Sequence, residues 1–160
     1  MPGTEIRYTT GDATAPEGEG PLLVVHMCNN AGRWGRGFVR AVSDRWPGPE
    51  HAYRQWHRSR EQPFELGEIQ LVPVEENVSV VNMIGQHGIA DNRTSTPPIR
   101  YDAVARCLTK LADHAIAAGA SVHTPRIGAG LAGGRWEQIA PLIDTHLCRR
   151  GIAVTVYDLP

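Results

Sequence analysis

Between the apolar run Leu22 to Met27 and the apolar residues that resume at Phe38 lies CNNAGRWGRG, a polar segment carrying Gly32, Gly35 and Gly37. A strand-like run that passes through glycines into a helical pattern restricts the local structure to strand, loop, helix. The chemistry of such a junction is anion binding. Glycines bring backbone N–H groups close to a ligand, and the first turn of the following helix has donors without intrahelical partners. A second stretch, TPRIGAGLAGGRWEQI at 124–139, repeats the pattern. Two such loops can hold one pyrophosphate from both sides.

The rest of the chain supplies the sheet that such loops need. Ile6 to Thr9, Leu22 to Met27, Glu68 to Val74, Val78 to Ile84, Ser121 to Ile127 and Ile152 to Tyr157 read as strands. The continuous apolar character of Leu22 to Met27 predicts a central strand covered on both faces. Phe38, Val39, Val42 and Trp46 recur at helical spacing and stop at Trp46-Pro47-Gly48-Pro49. Glu50 to Arg58 predicts a short second helix. Tyr101 to Gly119 carries Val104, Leu108, Leu111 and Ala115 at helical spacing and ends on a glycine suited to a C-cap. Trp136 to Arg150 predicts a last helix, with an irregular start because Pro141 would remove a helix hydrogen bond. The order β-β-α-α-β-β-α-β-α-β predicts an α/β fold with a mainly parallel sheet and helices on both faces, made mixed by a hairpin at 68–84. Gln86 to Arg100 lacks periodicity and is expected to be a long surface loop.

Composition narrows the function classes. A chain of 160 residues suits one domain with one substantial core, spanning 1–160. Sixteen basic and seventeen acidic residues give a net charge of −1, without the footprint of a general nucleic-acid binder. No apolar run approaches membrane-spanning length and no secretory leader is visible, so a cytoplasmic location is the expectation. Cys28, Cys107 and Cys148 are widely spaced and form no zinc or disulfide pattern. Nothing in the sequence requires a metal or cofactor.

GDAT at 11–14, NNAGRWGRGF at 29–38, NMIGQ at 82–86, PRIGAGL at 125–131 and VTVY at 154–157 occur together in that order. With them the chain, from about Ile6 to Leu159, resembles the macrodomain family. Within it, the similarity is to the branch of terminal ADP-ribose protein glycohydrolases and yeast-type ADP-ribose-1″-phosphate phosphatases. The resemblance implies a three-layer α/β/α sandwich around a mixed, six-stranded sheet. Its implied ligand is ADP-ribose, and its implied partners are mono-ADP-ribosylated proteins; no membrane partner is expected, and the net charge gives no support to a nucleic-acid target, which ranks lower. Asp12 would accept the adenine amino group and Tyr157 would lie against the adenine. Gly35, Arg36, Gly37 and Phe38 would form the first ribose and phosphate loop, and Gly128, Ala129, Gly130 and Leu131 the second. Asn29 would face the distal ribose, bordered by Gln86. Taken singly, Asp12 also fits a turn, Gln86 a strand cap, and Tyr157 and His26 the core.

The chain departs from the glycohydrolases of this branch at their catalytic pair. The region after the fourth strand reads MIGQHG without the lysine, and Ala132 stands where the aspartate would fall. The lysine-adduct mechanism is therefore not carried over. Asn29, which would fix the distal ribose, and His26, placed like the histidine of the phosphatase-like relatives, are the catalytic candidates. Three functions are open on this reading: a metal-independent mono-ADP-ribosyl hydrolase acting on acidic side chains, a non-catalytic ADP-ribose reader, and an ADP-ribose-1″-phosphate phosphatase.

Overall fold

A computed structural model describes residues 5–89, 96–130 and 132–160. Six strands form one mixed sheet: β1 (Ile6–Thr10), β2 (Leu22–Asn29), β3 (Ile69–Glu75), β4 (Val78–Gln86), β5 (Ser121–Thr124) and β6 (Val154–Asp158). Their spatial order is β1-β6-β5-β2-β4-β3, and only the β3–β4 pair is antiparallel. The apolar run Leu22 to Met27 is central, as its pattern predicts, with β5 on one side and β4 on the other.

The alternation along β2 separates two cores. Leu23 and Val25 face one, filled by Val104, Leu108 and Leu111 of α3 (Tyr101–Ala118) and Ile139 and Ile143 of α4 (Trp136–His146). Val24 and Cys28 face the other, filled by Val39 and Val42 of α1 (Phe38–Arg45) and Tyr53 and Trp56 of α2 (Gly48–Ser59), with Trp34 and Phe64. This is the expected three-layer sandwich. A strand buried on both sides has no polar face to reveal its period, so the sequence showed only a continuous apolar run.

Several boundaries differ from expectation, each for a local reason. β5 ends at Thr124 instead of Ile127, because Pro125 has no N–H to continue the ladder. The second helix begins at Gly48, two residues early, with Pro49 in its first turn, where a proline costs nothing. The last helix starts regularly at Trp136 and contains Pro141. Pro141 lies on the exposed side, where water can serve the carbonyl that loses its helical donor. That helix stops at His146, and Cys148–Arg150 form a 3-10 turn closed by Gly151 at φ 82°. Gly119 caps α3 at φ 65°, as predicted.

The stretch 86–100 is not wholly a surface loop. β4 runs through Gln86, which pairs with Ile99 in an antiparallel bridge, and Pro98 and Ile99 are buried. Residues 90–95 of that stretch lie outside the described residues.

Candidate functional site

The C-terminal ends of β2, β4 and β5 open into a cleft, as expected of parallel strands in an open α/β sheet. Its larger part, about 250 Å³, lies between the two glycine segments, with Gly37 and Phe38 on one wall and Gly128 and Gly130 on the other. An adjoining hollow of about 150 Å³ reaches Cys28, Asn29, Gly35 and Gln86. Met27, Arg36, Val39 and Gln86 line both parts, so the two form one groove.

The first wall is held open by backbone geometry. Gly35 and Gly37 have φ of 84° and 87°, conformations that disfavour a side chain. Gly37 precedes α1 without a side-chain cap, so the helix starts at the groove with its amides unused by a capping group. Gly32, also at positive φ, packs so closely that an added Cβ would collide with the His57 ring.

Asn29 organises this loop from inside. Its Nδ2 donates to the Arg33 carbonyl at 2.6 Å, while its Oδ1 accepts from Ala31 N–H at 2.9 Å and Arg33 N–H at 3.3 Å. The Tyr53 hydroxyl lies within 2.8 Å of that oxygen and 2.6 Å of the Asn29 carbonyl. Asn30 ties the loop to the end of β4: Gly88 N–H donates to its Oδ1 at 2.8 Å, and its Nδ2 meets His87 Nδ1 at 2.9 Å.

His26 lines the groove although it is 2% exposed. Its Nε2 is 2.5 Å from Asn82 Oδ1, and the tautomer follows from the neighbours. Asn82 Nδ2 donates to the Pro49 carbonyl at 3.2 Å and to Gln70 Oε1 at 3.0 Å, and Gln70 Nε2 donates to the Ala52 carbonyl. Asn82 Oδ1 is therefore an acceptor and His26 carries its proton on Nε2. That leaves Nδ1 as a lone pair, buried and without a partner. Burial lowers the His26 pKa to about 4, against the weaker opposing pull of Asn82, so the ring is neutral at pH 7. It can accept a proton or a hydrogen bond but not act as a cationic acid. Cys28 beside it is a thiol, its pKa pushed well up by burial.

The structure thus brings together His26, Asn29, Gly35, Arg36, Gly37, Phe38, Gln86, Gly128 and Gly130. Ala129 lies between the last two in sequence, and Leu131 is outside the described residues. Asp12 is not on the groove; it borders a separate depression with Trp46 and Glu75, and its Oδ1 accepts from Thr14 N–H at 2.8 Å and Thr14 Oγ1 at 2.7 Å. Tyr157 is 4% exposed, and its hydroxyl accepts from Glu17 N–H at 2.9 Å and meets His123 Nδ1 at 2.7 Å. It is a core residue that pins the 11–17 turn.

Sequence reasoning missed Asn82 and Arg126. Asn82 is a polar residue inside an apolar strand, and a buried amide always needs partners, which was the available signal. Arg126 lines the groove, held by Asp158 at 2.7 and 3.0 Å and resting against the Tyr8 and Trp136 rings. No local pattern announces a contact between residues so far apart in sequence.

No protein-family model matches the chain. A macrodomain protein from Streptomyces coelicolor is 54% identical, its structure matching 96% of this chain and 99% of its own with a TM-score of 0.85. The chain belongs to the macrodomain family. A Bacteroides thetaiotaomicron protein of unknown function is 55% identical to this macrodomain, with a TM-score of 0.94 over 98% of this chain and 99% of that one. Among curated proteins, the mouse chromodomain-helicase-DNA-binding protein 1-like is 31% identical over 169 residues, covering all of this macrodomain but 18% of its own length. The zebrafish protein of that name matches 96% of this chain and 16% of its own length. The macrodomain therefore spans less than a fifth of these curated relatives. At 19% identity, Thermosipho africanus DarTG, solved in complex with ADP-ribose, matches 88% of this chain and 38% of that one with a TM-score of 0.65, a likeness of fold.

Proposed function

We propose that this macrodomain binds ADP-ribose in the groove and acts as a mono-ADP-ribosyl hydrolase that frees ADP-ribose from acidic side chains of proteins. The observation that carries the proposal is the pair of glycine walls, Gly35 to Phe38 and Gly128 to Gly130, facing each other across one cleft at the strand ends. Backbone amides there suit a pyrophosphate, with Arg36 as a nearby cation. The ADP-ribose complex of DarTG, which shares the fold, supports the ligand class. Asp12 lies outside the groove with Oδ1 engaged by Thr14, so its Oδ2 would reach the adenine amine only of a ligand that extends past the groove to the depression Asp12 borders.

The hydrolysis needs little from the protein. A water attacks the distal C1″, the C1″–O bond to the side-chain carboxylate breaks, and the carboxylate leaves with the electron pair while the water loses a proton to solvent. Positioning of ribose and water supplies the rate. The unpartnered Nδ1 of His26 is buried, so it would accept from a ligand hydroxyl or the water only once the side chains over it shift, and Asn29 holds the loop against which the distal ribose lies.

A lysine adduct has no candidate in the chain. Lys110 is the sole lysine, on α3 and paired with Glu68, and Ala132 occupies the place of the branch aspartate. That same absence favours the second reading, a reader that binds ADP-ribose without turnover. Incubation of the purified protein with glutamate-linked, serine-linked and 1″-phosphorylated ADP-ribose decides between them. Release from the glutamate linkage, with no covalent adduct in borohydride-quenched mass spectra, is expected. Binding without release from any of the three leaves the reader.

A further inference from the structure

We infer that Ile99 is a positioning residue: it sets where the second glycine wall sits, and so the placement of a pyrophosphate bound against that wall. The ligand half of this inference rests on the ADP-ribose reading above.

Residues 97–100 form a short strap between the end of β4 and the second glycine segment. On the β4 side, Ile99 bridges Gln86, His87 N–H donates to the Pro98 carbonyl at 2.8 Å, and Arg100 N–H donates to the Gly85 carbonyl at 2.9 Å. The strap is also stitched to itself, since Arg100 Nη1 reaches the carbonyls of Pro97, Pro98 and Ile99 at 2.7 to 3.1 Å. It therefore shares the rigidity of the sheet.

On its other side the strap carries the glycine wall. Ile99 N–H donates to the Ala132 carbonyl at 3.1 Å. A Cβ built on Gly128 or on Gly134 would lie 2.7 Å from Ile99 Cδ1, and one on Gly133 would lie 2.9 Å from Pro97 Cβ. Gly128, Gly133 and Gly134 are thus moulded most closely around Ile99 and Pro97, with Ile139 also against Gly128 and Gly134 and Met27 against Gly128. The wall closes on itself through Gly134 N–H to the Gly128 carbonyl at 2.7 Å and Gly133 N–H to the Gly130 carbonyl at 2.9 Å. Such a glycine-rich wall has little packing of its own to fix its height, because among its described residues only Ala129 and Ala132 carry a side chain, a methyl each, and of these Ala132 packs in the core. Of the side chains the wall is seated on, Ile99, 6% exposed and not itself on the groove, makes the closest approach to Gly128 and Gly134; Ile139 Cδ1 would lie 3.2 and 3.0 Å from a Cβ added at those positions, and Met27 Cε 3.1 Å from one at Gly128. Loss of that seat lets the amides move away from the phosphates, and small displacements in such sites carry large penalties.

Ile99→Val removes Cδ1, the atom enclosed by Gly128 and Gly134, and Ile99→Ala removes the seat. Leu111→Ala, in the same core but on α3, is the control for lost stability. By calorimetry, Ile99→Ala is expected to weaken ADP-ribose about tenfold or more, Ile99→Val by less, and Leu111→Ala by no more than about twofold. In the unliganded proteins, amide hydrogen exchange at Gly133 and Gly134 is expected to quicken in Ile99→Ala beyond any change in β2 and β4, and not to do so in Leu111→Ala. Affinity in Ile99→Ala equal to wild type, or lowered only as far as in Leu111→Ala, overturns the inference. A wild-type protein that binds no ADP-ribose defeats the proposed function instead. Exchange then decides the seating alone, and unchanged protection at Gly133 and Gly134 overturns that too.

Discussion

His26 and His123 are buried polar residues whose rings stay neutral in the folded protein. Burial lowers both pKa values to about 4, while in the unfolded chain each returns to about 6.5. Between those values the unfolded state takes up protons that the folded state refuses. Stability is therefore full above pH 6.5 and lost as the pH falls towards 4. For fully buried His26 the loss approaches roughly 3 kcal/mol, and for the less enclosed His123 it is smaller. Urea denaturation at pH 7, 5.5 and 4.5 should show this decline, and His26→Gln should flatten it. Asn29 gives a second prediction at this scale. With three loop hydrogen bonds of its own and a fourth from Tyr53, Asn29→Ala should cost about 1–3 kcal/mol of stability and slow release from a glutamate-linked substrate, since the first wall loses its internal brace. A variant with wild-type stability and turnover would remove the bracing role.

At the scale of elements, the sequence was most legible where one local force decides the structure. The helical rhythm of Val104, Leu108 and Leu111 and the closing Gly119 define α3 almost to the residue. Gly119 has φ 65° and open space where a methyl would be added, so Gly119→Ala should cost only its backbone conformation, about 1 kcal/mol, read as a small fall in thermal midpoint. Boundaries were less legible where tertiary contacts or solvent override a local rule, as at Pro141, whose helix persists because its orphaned carbonyl can be hydrated. The groove shows the same division. The glycine walls are visible as strand-loop-helix junctions, whereas the Asn82 clamp on His26, the Arg126–Asp158 pair and the Ile99 seat join segments distant in the chain. Tyr157 marks the limit most clearly: its identity permits a stacking face, and only the fold shows the ring buried under Gly11 with its hydroxyl engaged.

For the molecule as a whole, the sheet places the two glycine walls on opposite sides of one groove at its strand ends, with neutral His26 and the loop-bracing Asn29 on the β2 side. Among the described residues no helix is long and apolar enough to cross a membrane. The central claim is that a pyrophosphate lies between the walls, and Gly130 is the position at which to challenge it. Gly37 has φ 87°, so a side chain there would also strain the backbone, whereas Gly130 has no positive φ and nothing within 4 Å of an added Cβ. A glutamate at 130 should therefore leave the fold intact while setting a carboxylate against the phosphates. Titration calorimetry of ADP-ribose into wild type and Gly130→Glu, with matched thermal midpoints, should show binding to the first and its loss in the second. Equal affinity for both proteins would contradict the placement of the pyrophosphate between the two glycine walls.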